Sequence, residues 1–101
     1  MEDRYVAPSV ETIRAHGLEP FVRRALGLIH AVHELEWGWR VNGYAVHWDG
    51  VGFRCKCMNW ELHGGSQGGY CKHSLAVCLR AESYRNRIIA ALEEEVAICG
   101  Y

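Results

Sequence analysis

Four residues that commonly bind metal ions stand in two closely spaced pairs. One residue separates Cys55 from Cys57, and after thirteen intervening residues Cys71 and His73 form the second pair. Zn²⁺ binds thiolates and imidazoles in a tetrahedron, and four protein ligands close a structural site. The pattern therefore predicts one structural zinc ion per chain, bound by Cys55, Cys57, Cys71 and His73.

The spacing of each pair constrains the element that carries it. Residues two apart on a strand point to the same side, so Cys55 and Cys57 suit the end of a strand. Residues two apart on a helix lie about 200° apart around its axis. We therefore expect Cys71 just before a helix and His73 in its first turn.

Other cysteines and histidines compete less well for the metal. His63 is the alternative fourth ligand, because it lies in the loop between the two pairs. Cys78 and Cys99 fall on apolar helical stripes and are interpreted as core thiols. The remaining histidines have no partner at metal-binding spacing and are interpreted as surface or structural residues: His16, His30, His33 and His47.

The composition indicates a small folded protein. The chain has 101 residues, half of them hydrophobic, which suggests a single compact unit for which a metal would add much stability. The first ten residues lack the apolar segment of a secretory signal, and no apolar run is long enough to span a membrane. We expect a soluble intracellular protein with reduced cysteines.

Two hairpin signals precede the first cysteine pair. Asn42-Gly43 and Asp49-Gly50 each lie between aromatic and β-branched runs, an arrangement that favours tight antiparallel turns. They predict a three-stranded meander within residues 37–55. The glycine-rich stretch 64–69 is interpreted as a flexible connection to Cys71.

Helical patterns flank the meander. Ser9 is suited to cap a short helix that Gly17 ends, and Pro20 to begin a second helix. That second helix either continues to Leu35 or stops near His30, with 32–37 pairing as a strand. Residues 71–99 contain no Gly or Pro, and Ser83 is a candidate cap dividing them into two helices. The predicted class is α+β.

Charge is uneven along the chain. The net charge is -1, yet residues 38–87 carry +4, interleaved with aromatic side chains. Arg and Lys neutralise phosphates and aromatic rings stack on bases, so nucleic acid is one candidate partner. Half or more of the aromatic rings should pack the core, which leaves Trp60 and Tyr70 as the better exposed candidates. The candidate phosphate contacts are Arg54, Lys56, Lys72 and Arg80.

The segment 44–57 (YAVHWDGVGFRCKC) followed by 70–79 (YCKHSLAVCL) resembles the SWIM zinc finger, whose signature is C-x-C-x(n)-C-x-H. The resemblance covers roughly residues 37–80. It implies a zinc-clamped hairpin and helix that binds DNA or protein, since such fingers occur in helicases, transposases and partners of recombinase paralogues. We accordingly divide the chain into a helical segment 1–36, a finger 37–82 and a C-terminal helix 83–101.

Two functions remain open at this point. The first is a nucleic-acid-binding accessory in DNA transactions. The second is a subunit that binds a recombinase- or helicase-type protein, or forms a homo-oligomer through the C-terminal stripe of Ile88, Leu92 and Val96. We do not expect an enzyme, because four protein ligands leave the metal no open position and no catalytic motif is present.

Overall fold

The computed structural model describes residues 5–57 and 70–99, with side chains through Glu93. Two short helices come first, α1 (Val10–Ala15) and α2 (Glu19–Leu26), followed by a 3₁₀ turn (Ile29–Ala31). Four strands follow, β1 (Val32–Glu34), β2 (Trp39–Val41), β3 (Tyr44–Trp48) and β4 (Phe53–Cys55). Helices α3 (Lys72–Leu79) and α4 (Glu82–Cys99) end the chain. The predicted α+β class is confirmed.

The sheet has one more strand than the meander predicted from the turns. Its order is β1-β2-β3-β4, with every neighbouring pair antiparallel. The extra strand is β1, in which Val32 pairs with Val41. The second helix therefore stops at Leu26, and the shorter alternative is correct. The β-branched Val32 gains a cross-strand partner that a longer helix would have denied it.

Both predicted turns form, with different lengths. Asn42 and Gly43 have φ values of 50° and 88°, as a two-residue type I′ turn requires. The second connection uses four residues, because the Asp49 carboxylate accepts hydrogen bonds from the backbone amides of Val51 and Gly52, both at 2.9 Å. β4 accordingly begins at Phe53 rather than immediately after Asp49-Gly50.

The predicted helix caps are partly correct. Ser9 caps α1 by accepting a hydrogen bond from the Thr12 amide, and Pro20 lies in the first turn of α2. Ser83, in contrast, lies inside α4 and is exposed. The break between the last two helices falls at residues 80–81, where the Arg80 amide closes the end of α3.

Helix α3 lies at the centre of the molecule. The sequence predicted one apolar stripe, but every residue from His73 to Leu79 is buried. α2 packs along α3, which also contacts β2, β3, β4 and α4. A helix that is apolar all round belongs in a core. The predicted segment 1–36 and the predicted finger thus contribute to one hydrophobic core.

An aromatic cluster completes the core on the inner face of the sheet. Trp39 and Phe53 are buried, and the Tyr5 ring lies 5.5 Å and 5.4 Å from their ring centroids. Tyr70 packs on Phe53 at 6.1 Å and donates a hydrogen bond to the Val6 carbonyl. Tyr70 is therefore half-buried rather than a free stacking platform, and Trp60 lies outside the described residues.

Candidate metal centre

The end of β4 and the start of α3 bring the two predicted pairs together. Cys55 and Cys57 are 6% and 5% exposed, whereas Lys56 between them is exposed, so both thiols point inward as the strand geometry predicts. Cys71 directly precedes α3 in an extended conformation, and His73 lies in the first turn of that helix. The predicted placement of both residues is confirmed.

The four donor atoms are close enough to share one ion. The three Sγ atoms and a ring nitrogen of His73 all lie within 4.8 Å of one another. His73 Nδ1 is 3.6 Å from Cys55 Sγ and 4.0 Å from Cys71 Sγ. A tetrahedral zinc site with Zn–S bonds of about 2.3 Å has sulfur–sulfur edges of roughly 3.8 Å. The donor set and its dimensions therefore fit a metal ion, and His73 presents Nδ1 to it.

The thiols of Cys55 and Cys71 influence each other's ionisation. A hydrogen bond between Cys55 and Cys71 lowers the pKa of the Cys71 thiol and raises the pKa of the Cys55 thiol. The proximity of His73 and the Ser74 amide also favours the Cys71 thiolate. A bound cation would replace the proton of the hydrogen bond between these two thiols, because metal ligation requires deprotonated sulfur.

Ser74 fixes the backbone that carries Cys71. Its Oγ accepts a hydrogen bond from the Cys71 amide at 2.9 Å and donates to the Cys71 carbonyl at 3.1 Å. Ser74 is fully buried. It thereby gives the Cys71 amide a partner at the buried start of α3, where the Cys71 carbonyl also accepts from the Leu75 amide. The sequence analysis missed this role, although a serine three residues after a helix cap is a recognisable signal.

Tyr44 forms the outer wall of the centre. Its ring centroid is 4.6 Å from that of His73, and the tyrosine is 41% exposed. The sequence analysis did not place Tyr44 beside the metal ligands. The strand register contains the missing signal, because Tyr44 is two residues from Val46, which pairs with Cys55. Residues two apart share a face of a sheet.

Cys78 and four of the histidines are the competing candidates whose side chains the structure describes. Cys78 is completely buried in α3, as expected of a core thiol, and burial raises its pKa. No disulfide joins the described cysteines Cys55, Cys57, Cys71 and Cys78. The alternative ligand His63 and the side chain of Cys99 lie outside the described residues. The other four histidines are all exposed: His16, His30, His33 and His47.

The four candidate phosphate contacts do not form one cluster. Arg54, Lys56 and Lys72 flank the metal ligands in sequence, and Arg54 is paired to Asp49 at 2.7 Å. The Gly52 amide, Arg54 and the Val51 amide together hold the pKa of Asp49 below its usual range. Arg80 lies at the opposite end of α3, roughly 12 Å along the axis, and is 3.8 Å from a Glu34 oxygen. Arg80 thus joins α3 to β1.

No helix in the described part of the chain is long and apolar enough to cross a membrane. No family model matches this sequence, and no similar chain was found among curated proteins or solved structures. What the protein can do must therefore be inferred from the arrangement of its own side chains.

Proposed function

We propose that this chain is a zinc-stabilised binding module that acts as a nucleic-acid-binding accessory. The observation that carries the proposal is the convergence of Cys55, Cys57, Cys71 and His73, all buried and all within 4.8 Å. One ion at this point ties the end of the sheet to the central helix. Binding energy at such a site contributes directly to folding.

Zinc is the metal that best suits these donors. Three soft thiolates and one imidazole in a tetrahedron are typical of zinc, whereas magnesium and calcium prefer oxygen ligands. Three thiolates and Zn²⁺ leave a net charge of about -1 at the start of α3, where the helix dipole favours negative charge. The nearby side chains of Lys56 and Lys72 add to that stabilisation.

The ion's role in this proposal is structural. All four tetrahedral positions are filled by protein, so no water or substrate can bind the metal without displacing a ligand. The ligands are also buried, with exposed fractions of 6% or less. We therefore assign the chain to binding proteins rather than enzymes.

The nucleic-acid role rests on the charges around the centre and on the SWIM resemblance. Arg54 and Lys56 are exposed and Lys72 is half-buried, all beside the ligands in sequence. Such side chains can neutralise backbone phosphates. Arg80 is removed from this set because of its distance and its ion pair with Glu34.

A protein-interaction subunit is the second candidate. The observation in its favour is a set of large apolar side chains exposed to solvent: Val6 (66%), Trp37 (52%) and Val51 (90%). Exposed aromatic residues are enriched where proteins bind one another. The partner would be a recombinase- or helicase-type subunit, as the resemblance implies, or a second copy through the C-terminal helix. Ile88 and Leu92 are buried within a single chain, so a homo-oligomer would have to use the other faces of α4.

Three measurements on the purified protein test these roles. Elemental analysis should give one zinc per chain, and a folded chain without zinc would overturn the metal assignment. Affinity for labelled DNA should fall steeply as salt is raised. Replacing Lys56 and Lys72 with Glu should abolish binding while zinc is retained. If DNA does not bind at low salt, light scattering with and without candidate protein partners becomes the test of the second candidate.

A further inference from the structure

The two faces of the sheet differ sharply in chemistry. The inner face carries buried side chains, including Trp39, Val46 and Cys55, which align across β2, β3 and β4. The outer-face residues are those that alternate with the buried ones, and all of them except the small Ala45 are exposed and basic or imidazole-bearing. The exposed members are His33, Arg40, His47, Arg54 and Lys56.

The strand register places these outer-face residues side by side. His33 pairs with Arg40 across β1 and β2, and His47 pairs with Arg54 across β3 and β4. Ala45 pairs with Arg40 between them. The small alanine leaves a shallow depression lined by Ala45, His47, Arg54, Cys55 and Lys56. A compact group from a ligand can enter this depression between Arg54 and Lys56.

In the part of the chain that the structure describes, the acid paired with this face is Asp49, which binds Arg54. Glu34 points to the helical side, because its strand partner is the buried Trp39 and its carboxylate faces Arg80. Within the described ranges 5–57 and 70–99, neither Arg40 nor Lys56 forms an ion pair. The outer face therefore holds two uncompensated cations and suits an anionic partner.

The shape of the face favours a single nucleic-acid strand over a duplex. Four strands at about 4.8 Å spacing make a surface roughly 14 Å wide before side chains are added. The major groove of B-DNA, about 12 Å wide, admits a helix or a two-stranded ribbon. A single strand can lie across an open sheet, with phosphates near the cations and bases stacked on exposed rings, histidine included.

We propose that the outer face of the sheet binds single-stranded nucleic acid, with Arg40 and Lys56 contacting phosphates and His33 and His47 contacting bases. This proposal rests on the proposed nucleic-acid function. It differs from that function in its location, because Arg40, His33 and His47 lie outside the candidate set around the metal ligands. The small Ala45 keeps the face open, whereas the buried Gly38 allows the β1–β2 turn to pack closely on β3, since a Cβ there would lie 2.4 Å from the Val46 carbonyl oxygen.

The test compares two matched charge reversals in the zinc-loaded full chain. Arg40→Glu changes the outer face, and Arg23→Glu makes the same change at an exposed position on α2. The probe is a fluorescein-labelled mixed-sequence single-stranded oligonucleotide, with the corresponding duplex as comparison. Arg40→Glu should weaken binding about tenfold and lower the salt slope by roughly 0.7, the value for one lost phosphate contact on a single strand. Arg23→Glu should change neither.

The outcomes separate this proposal from the broader function. Wild-type protein that binds neither probe at low salt overturns the nucleic-acid function and the outer-face site together. Wild-type binding that Arg40→Glu leaves unchanged, or that Arg23→Glu weakens equally, overturns the outer-face site alone. If the duplex binds as tightly as the single strand, the assignment of single-stranded nucleic acid as the ligand of this face is overturned. Zinc content measured on each variant verifies that the fold is intact.

Discussion

The ring of Tyr44 covers the imidazole of His73, with ring centroids 4.6 Å apart and planes inclined by 32°. His73 is 2% exposed, and its Nε2 has no hydrogen-bond partner among the described residues, while Nδ1 faces the thiols. The neighbours of a metal-binding imidazole normally fix its orientation through that second nitrogen. Here the ring of Tyr44 takes over that orienting role by contact.

Removing the Tyr44 ring should therefore loosen the metal. We expect Tyr44→Ala to lose zinc to a chelator about tenfold faster than wild type, in the range typical of residues behind metal ligands. Tyr44→Phe keeps the ring and should behave like wild type. Val51→Ala, at a 90% exposed site in the neighbouring turn, is the control. Equal acceleration in Tyr44→Phe would contradict a role for the ring.

Substitution of a ligand should cost far more than substitution of a buried thiol elsewhere. Cys57→Ser or Cys71→Ser removes a donor from a site whose binding energy is about 10–16 kcal/mol, more than the stability of most small domains. Neither variant should show a cooperative thermal transition. Cys78→Ser, at a fully buried position away from the metal, should lose about 1–3 kcal/mol and retain zinc. A similar loss of stability in Cys78→Ser and Cys57→Ser would mean that the ligands are misassigned.

Ser74→Ala should destabilise the start of α3 without releasing the metal. The variant loses the hydrogen bonds to the Cys71 amide and carbonyl. We expect a loss of about 1–2 kcal/mol, measured by urea denaturation of the zinc-loaded protein. Ser83→Ala, at an exposed position in α4, provides the matched control and should change stability little. An unchanged free energy of unfolding in Ser74→Ala would contradict the capping role.

The buried hydroxyl of Tyr84 should make stability sensitive to alkaline pH. It donates a 2.6 Å hydrogen bond to the Pro8 carbonyl, and burial raises its pKa above the usual value. The neutral form is thus favoured in the folded state. Its contribution is complete below about pH 10, where the unfolded chain is also neutral, and falls as the pH rises further.

Comparison of Tyr84→Phe with wild type isolates this effect. The variant should be less stable by about 1 kcal/mol near neutral pH, because one buried hydrogen bond is lost. Above about pH 10 the difference in the free energy of unfolding between wild type and Tyr84→Phe should narrow, since only wild type loses stability by ionisation of Tyr84. Tyr44→Phe, which removes a phenol at a 41% exposed position, is the control. A stability difference that widens as the pH rises would contradict a raised pKa for Tyr84.

The metal centre was the most predictable part of the molecule, because the ligand types and their spacing can both be identified from short segments of sequence. Cys55-x-Cys57 at a strand end and Cys71-x-His73 at a helix start needed no knowledge of tertiary packing. The Asn42-Gly43 turn was predictable for the same reason, since positive φ at both positions favours these residues.

Features that depend on distant partners were not predictable in the same way. Val32–Glu34 becomes a strand by pairing with β2, which local helical periodicity conceals. Arg80 looked like part of a basic cluster, but eight helical residues separate it from Cys71 and Glu34 lies beside it. Burial on every side of α3 likewise depends on α2, whose packing is a property of the whole fold.

The position of α3 has a consequence for cooperativity. Two of the four candidate ligands belong to the start of α3, which contacts α2, α4 and three strands in the described part of the chain. Release of the ion frees Cys71 and His73, and so loosens the element against which the others are packed. Opening should then spread beyond the metal centre to the whole chain as one foldon. Amide protons in α2, which donates no ligand, should exchange with solvent as soon as a chelator has removed the zinc.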